Sequence, residues 1–228
     1  MLDLRLVAQP AAWHPEAEDG PALAVDAFAE EGGPPLVPGP LIRGVSGTLV
    51  HATVRNAVAD TLLVVGLSAR GGDAPDTLRV APGEVREVRF ALGSPGTYLY
   101  RALTPYGDRR LGGGRSGQLV GAIVVDSADA ATSVAGPTGA DRVFVLSAWN
   151  AHPDSIIGRF VMAINGKSWP HTERLAHAIG DSARWRLVNG TGSEHPMHLH
   201  GFHFRVDSRG DGWTDSILPG PERPMVVT

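Results

Sequence analysis

The stretch GTLVHATVRN, residues 47–56, alternates apolar and polar side chains, so Val50, Ala52 and Val54 would share one face of a β-strand. A second stretch, GDSARWRLVN at residues 180–189, repeats the pattern, because both begin with glycine and place asparagine nine positions later. Each is followed by a second related pair, LVVGL at 63–67 and HLHGF at 198–202. The sequence therefore predicts two copies of one strand-rich module.

Strands and turns are predicted along the rest of the chain as well. Residues 1–40 are rich in proline, alanine and glutamate, which predicts an extended N-terminal segment rather than a helix. From residue 41 to residue 126, runs such as EVREVRFAL (84–92) and GTYLYRAL (96–103) predict short strands. Strands resume after residue 141 and include MHLHGFHFRV (197–206) and PMVVT (224–228). We expect an all-β fold built from β-sandwich modules.

A small polar stretch, DSADAATSVAGPTGAD at residues 126–141, divides these two groups of strands. Its composition is typical of a linker, so we predict a first module at residues 1–126, a linker at 127–140 and a second module at 141–228. Only 87 residues follow Asp141, and the sequence stops directly after the β-prone MVV. We expect the second module to be incomplete, either as a fragment or with an open edge that pairs with another copy in a homo-oligomer.

Composition narrows the classes of function. Hydrophobic residues make up 43% of the chain, which is enough for a packed core. The net charge is −4 and there is no run of lysine or arginine, which argues against a nucleic-acid or membrane-surface partner. The sequence has no cysteine, so its residues form neither disulfides nor thiolate metal sites. The N-terminus lacks the basic start and apolar core of a signal peptide.

Four of the nine histidines fall within EHPMHLHGFHF at residues 194–204. In a strand, His198 and His200 would project to one side, about 7 Å apart. His195 precedes Pro196, which favours extended backbone and lets its ring face a second site. Neutral imidazole binds copper, zinc, iron and nickel, so His195, His198 and His200 are candidate metal ligands. The alternative is that they are packed or surface side chains.

The histidine stretch resembles a known family. HPMHLHGFHFRV (195–206) is similar to the H-P-x-H-x-H-G stretch in the last cupredoxin domain of multicopper oxidases, the laccase-like enzymes. PGPLIRGVSGTLVHATVRN (38–56), PGTYLYRALT (95–104) and GQLVGAIVVD (117–126) resemble strands of the family's first domain. The likeness covers most of residues 34–228.

The resemblance implies two cupredoxin-like Greek-key β-sandwich modules, the second incomplete, and it implies copper as the cofactor. His195 would bind a type 1 copper that accepts electrons from substrate. His198 and His200 would bind the type 2 copper and a type 3 copper of a three-copper cluster that reduces dioxygen to water. The electron donors would be small aromatic molecules or metal ions, and the expected location is extracytoplasmic.

The chain departs from the family at other ligand positions. Where the family has H-W-H-G and H-S-H in its first domain, this chain has LVVG at residues 63–66 and RAL at residues 101–103. Aliphatic side chains have no lone pair, and arginine is a cation without an acceptor. A type 1 site also needs a thiolate, which the family supplies from a final H-C-H segment downstream of the position of residue 228.

Three hypotheses follow. The first is a laccase-like copper oxidoreductase, present as a partial or degenerate chain. The second is a non-catalytic copper-binding or structural cupredoxin-like protein, since the first module lacks ligands. The third is a zinc hydrolase that uses the same histidines and leaves a position open for water. None of them assigns a catalytic residue to this chain beyond the metal ligands.

Overall fold

A computed structural model describes residues 1–68, 77–104, 114–127, 141–150, 160–201, 203–204 and 225–227. The part of the chain that the structure describes is nearly all β, with 54% of those residues in strands. The strands are β1 Leu2–Trp13, β2 Leu23–Glu30, β3 Ile42–Val45, β4 Leu49–Asn56, β5 Leu62–Val65, β6 Thr77–Val80, β7 Val85–Ala91, β8 Gly96–Leu103, β9 Val120–Asp126, β10 Asp141–Asn150, β11 Phe160–Ile164, β12 Arg184–Asn189, β13 His195–Met197 and β14 Met225–Val227. A 3-10 helix spans Gly114–Gln118. The described part of the chain contains no helix long and apolar enough to cross a membrane.

Strands β1 to β9 form a sandwich of two sheets. One has the order β2-β1-β4-β7 and the other the order β3-β9-β8-β5-β6. The alternation in β4 determines which of its side chains are buried: Val50, Ala52 and Val54 are at most 1% exposed and pack into the core between the sheets. Tyr100 of β8 reaches the same core, where burial raises the pKa of its hydroxyl far above the usual value. The predicted all-β sandwich is confirmed.

The N-terminal segment contains more structure than its composition predicts. The sequence predicts an extended segment rather than a helix over residues 1–40, and the structure shows paired strands there: β1 and β2 pair with each other, and β1 also pairs in parallel with β4. Pro10 sits inside β1, beyond the part that pairs with β4, so its missing N–H interrupts no second ladder. The prolines at residues 34–40 come after β2 has ended. The proline content therefore marks the connection after the strands and does not exclude them.

The sheet β11-β10-β12 covers part of the outer face of this sandwich. Val145 of β10 and Val188 of β12 are buried against Val120 and Ala122 of β9. A second apolar cluster joins β11 to the first hairpin; its buried members are Trp13, Leu23, Val25, Val161 and Ala163. Burying these side chains removes apolar surface of both partners from water, which stabilises the contact by roughly 25 cal/mol for each Å² buried.

The apolar face that the sequence pattern shows in β12 is not the face that packs against the sandwich. By alternation Ala183, Trp185 and Leu187 share one face, and on it Trp185 is 39% exposed and Leu187 is half-buried. Trp185 instead packs edge-on against Phe144 of β10, with ring centroids 5.6 Å apart. The opposite face carries Val188, which meets β9. Alternation alone does not show which face of a strand meets the neighbouring sheet.

Two arginines and two aspartates join the sheets at one edge. Arg43 of β3 makes a bidentate pair with Asp126 at the end of β9, at 2.7 and 3.0 Å. Its Nη2 also lies 2.8 Å from Asp141, at the start of β10, and Arg186 of β12 donates to the other oxygen of Asp141 at 2.8 Å. Burial acts to raise the pKa of Asp141, but the hydrogen bonds and charges of Arg186 and Arg43 hold it below its usual value.

This cluster also bears on the predicted domain boundaries. Asp126 and Asp141 bind the same guanidinium of Arg43, so the two ends of the predicted linker lie side by side. Residues 128–140 of that linker are outside the described residues. The division into 1–126, 127–140 and 141–228 stays a prediction.

The turn after β11 is held against the first hairpin. Asn165 and Gly166 both have left-handed backbone, with φ of 49° and 78°. The indole of Trp13 donates to the carbonyl oxygen of Gly166 at 2.7 Å, and Nζ of Lys167 lies 2.6 Å from a carboxylate oxygen of Glu18. A side chain at residue 166 would overlap the carbonyl oxygen of Val37. The backbone of the turn therefore has to pass close to the first hairpin.

We expect Gly166→Ala to lower the free energy of unfolding by about 2–4 kcal/mol, since left-handed strain and steric overlap each cost about 1–2 kcal/mol. Gly32→Ala is the matched control, because Gly32 has a φ of 81° and open space around it, so only the strain applies. Urea unfolding measures both variants. Equal losses in the two variants would show that the close approach to Val37 contributes nothing.

Candidate metal centre

The loops that follow β4 and β12 are each closed by an asparagine with the same pattern of hydrogen bonds. Oδ1 of Asn56 accepts from the backbone N–H of Val58, and its Nδ2 donates to the carbonyl of Asp60 at 2.8 Å. Oδ1 of Asn189 likewise accepts from the N–H of Thr191 at 3.0 Å, and its Nδ2 donates to the carbonyl of Ser193 at 2.7 Å. The partners lie two and four residues after the asparagine in both loops. This shared geometry supports the predicted internal repeat.

The two motifs that follow these loops also end alike. Gly66 closes LVVG with a φ of 88°, and Gly201 closes HLHG with a φ of 78°. Both are backbone conformations that favour glycine. Matching the two glycines places Leu63 opposite His198 in the repeat and Val65 opposite His200.

The histidine segment is not the long strand that its sequence predicts. β13 ends at Met197, because β14 pairs only with residues 195–197, and no other described strand lies beside residues 198–200. The predicted strand over 197–206 is therefore wrong for His198 and His200: residues 198 and 199 are irregular, and a turn begins at His200 and includes Gly201. Residues 198–201 are called the histidine turn below. A strand persists only where a neighbour supplies its ladder hydrogen bonds.

The turn nevertheless brings two imidazoles together. The ring centroids of His198 and His200 are 4.7 Å apart, with their planes at 87°, and both side chains are exposed. His195 lies on β13, half-buried, and its Nε2 is 2.7 Å from the hydroxyl of Thr191. Three neutral imidazoles within six residues are donors suited to copper or zinc.

The histidines at residues 195–200 supply only part of a complete metal site. Among the residues that the structure describes, no group of three or more His, Cys, Asp or Glu side chains is arranged to hold a metal ion. His198 and His200 can supply two adjacent nitrogen donors, and further ligands would have to come from elsewhere. That His195, His198 and His200 bind metal stays a prediction.

The first repeat shows what replaces the missing ligands. β5 pairs with β8 so that Leu63 lies beside Leu103 and Val65 beside Arg101. These four half-buried side chains share the outer face of the sheet, whereas the neighbouring Val64 and Ala102 are buried in the core. The positions at which the resemblance requires imidazoles are therefore adjacent in space, and they carry three aliphatic groups and one guanidinium.

Two other described histidines, His51 and His14, make contacts within the first group of strands. His51 lies between two carboxylates, with Nδ1 3.1 Å from Asp3 and Nε2 2.9 Å from Glu87. Nδ1 of His14 is 2.9 Å from the carbonyl of Gly20. These contacts belong to the sandwich and its first hairpin, away from the histidine turn in sequence. The residue that sequence reasoning missed is Thr191, although its place four residues before His195 was a usable signal.

Comparison with known proteins agrees with the fold. Residues 139–225 match the family model described as multicopper oxidase. The chain is 31% identical over 232 residues to a probable nitrite reductase-hydroxylamine oxidoreductase fusion protein of Kuenenia stuttgartiensis, covering 90% of this chain and 25% of that protein.

Solved structures give the same result for the architecture. The multicopper oxidase mgLAC has a TM-score of 0.66 at 21% identity, with 87% of this chain and 64% of that chain covered. A copper-containing nitrite reductase from Thermus scotoductus has a TM-score of 0.65 at 21% identity, with 89% and 47% covered. The cupredoxin-type fold is thus shared, and this chain spans about a quarter of its curated relative and less than two thirds of these two structures.

The strand register predicts that a metal site can be built on the first repeat. Leu63→His with Leu103→His should place two imidazoles on one face, with their Cβ atoms about 5 Å apart. In a background of His198→Ala and His200→Ala, we expect titration calorimetry to show one Cu²⁺ bound per chain.

The control for that experiment is Val64→His with Ala102→His, which points inward. It should lower the stability by several kcal/mol, about the cost of burying polar groups without partners, rather than add a metal site. Copper binding by neither pair, or by the inward pair alone, would contradict the register.

Proposed function

We propose that this chain, whose residues 139–225 match the multicopper oxidase family model, is the copper-ligating part of a laccase-like oxidoreductase. Its activity would be the one-electron oxidation of phenol-type substrates coupled to the reduction of dioxygen. The match of residues 139–225 to the multicopper oxidase model supports the proposal, and so does the fold that the chain shares with a multicopper oxidase and a copper-containing nitrite reductase. The laccase-type reaction is the specific activity that we propose for this chain.

The observation that carries the proposal is the pair of adjacent rings in the histidine turn. His198 and His200 are exposed and their ring centroids are 4.7 Å apart, so both side chains are open to solvent and close enough for each to contribute a ligand to one metal ion or to two neighbouring ions. Bound copper supplies a centre that takes up and releases single electrons. The protein's own contribution is to hold these nitrogens in place next to the left-handed turn at Gly201.

The two groups of strands divide the work in this proposal. Residues 1–126 would be a structural unit, because the outer face of β5 and β8 carries Leu63, Val65, Arg101 and Leu103 at the ligand positions. Residues 141–228 would carry the copper ligands. The remaining ligands would come from another polypeptide region or another subunit, and the partners would be dioxygen and a small aromatic or metal-ion electron donor.

A second candidate is a copper-binding protein without oxidase activity. The same outer face favours it, since three aliphatic side chains and Arg101 supply no donor to a cluster. The sequence also has no cysteine, so these residues form no thiolate-ligated copper. Both candidates require copper at His198 and His200, and they differ in whether a phenol is oxidised.

We expect the purified protein to bind copper and to show a paramagnetic resonance signal typical of nitrogen-ligated Cu²⁺ without a thiolate. His198→Ala with His200→Ala should lose most of this copper, because both donors are removed. His177→Ala is the matched control, since His177 is also exposed and lies outside the turn. Metal analysis and electron paramagnetic resonance measure all three proteins.

Equal copper content in the wild type and the double variant would contradict the proposed site, and so would bound zinc in place of copper. If copper binds as expected, oxygen consumption with a phenolic substrate separates the two candidates. Turnover that disappears in the double variant supports the oxidase, and copper binding without turnover supports the binding protein.

A further inference from the structure

The loop between β12 and β13 is closed by side-chain hydrogen bonds whose directions can be assigned. The N–H of Thr191 can only donate, so the atom of Asn189 that faces it at 3.0 Å is the oxygen Oδ1. The carbonyl of Ser193 can only accept, so the atom that faces it at 2.7 Å is Nδ2. These two contacts fix the orientation of the Asn189 amide.

The hydroxyl of Thr191 has several polar neighbours. It lies 2.8 Å from Oδ1 of Asn189 and 3.1 Å from the carbonyl oxygen of Ser193, which are acceptors only, and it accepts from the N–H of Ser193 at 3.2 Å. Two oxygens 2.8 Å apart repel each other unless a proton lies between them, which favours directing the single hydroxyl proton to Oδ1 of Asn189. The remaining contact, 2.7 Å to Nε2 of His195, forms a hydrogen bond only if Nε2 carries a proton and donates it to Thr191.

We propose that Thr191 is a positioning residue that keeps the proton of His195 on Nε2 and so directs Nδ1 to the metal. A neutral imidazole has one protonated and one unprotonated nitrogen, and a metal binds the unprotonated one. Hydrogen bonds to the other ring nitrogen commonly fix both the tautomer and the ring orientation of metal ligands. The metal-directing part of this inference rests on the proposed function, in which His195 is a copper ligand.

The first repeat shows that the loop folds without this hydroxyl. Val58 occupies the place of Thr191 relative to the asparagine, and its N–H still donates to Oδ1 of Asn56 at 2.9 Å. The hydroxyl of Thr191 is therefore not needed to close the loop. Its specific effect is on His195, which the first repeat lacks.

Substitutions at residue 191 test the tautomer directly. Long-range proton–nitrogen spectra of metal-free protein with labelled histidine report which ring nitrogen is protonated, and His195→Gln identifies the signal. We expect the Nε2-protonated form of His195 in the wild type and in Thr191→Ser, and a substantial Nδ1-protonated fraction in Thr191→Val. A wild type protonated on Nδ1, or a Thr191→Val spectrum equal to the wild type, would overturn the proposal.

Copper titration of the same proteins tests the metal-directing part. Copper affinity should fall on the order of 10–100-fold in Thr191→Val and return in Thr191→Ser. A tautomer change with unaltered copper affinity overturns the metal-directing part. If the wild type binds no copper, the proposed function fails, while the spectra still decide whether Thr191 positions the ring.

Discussion

The position of the histidine turn depends on how the β11-β10-β12 sheet is fixed to the sandwich, and the ion cluster at the sheet edge fixes it together with the two apolar clusters. Arg43, Asp126, Asp141 and Arg186 connect β3, β9, β10 and β12 through contacts of 2.7 to 3.0 Å. Arg186 and Asp141 are only 11% and 12% exposed, so this pair is less screened by water than a surface pair. β12 leads directly into the loop closed by Asn189 and then into β13, so the cluster also affects where β13 and its first residue, His195, are placed.

The sequence pattern predicts the buried face of one strand correctly but does not reveal the packed face of another or the two N-terminal strands. The alternation in GTLVHATVRN predicts the buried face of β4, because one face of that strand meets the core. In β12 the same alternation groups Trp185 with Leu187, but it does not show that the opposite face, which carries Val188, is the one that meets β9. The strands β1 and β2 were missed because proline content was weighed over the whole of residues 1–40, whereas the prolines cluster after β2.

The candidate site was predictable in its residues but not in its geometry. The spacing of HPMHLHG makes His195, His198 and His200 candidate donors, which stays a prediction, and it implied a strand over residues 198–200 where the structure has none. Strand formation over residues 198–200 depends on a neighbouring strand, and that information is not local. The contact of Thr191 with His195 depends on the direction of the Asn189 side chain, which no spacing rule provides.

The two repeats show how one scaffold can serve two purposes. Both retain the asparagine loop and the left-handed glycine, at Asn56 with Gly66 and at Asn189 with Gly201. The residues between them decide the chemistry, since one repeat presents aliphatic groups and the other presents imidazoles. The most direct test of this account is anomalous diffraction at the copper edge from copper-loaded crystals. The account predicts copper about 2 Å from an imidazole nitrogen of His198 or His200. Copper bound elsewhere, with this turn empty, would contradict it.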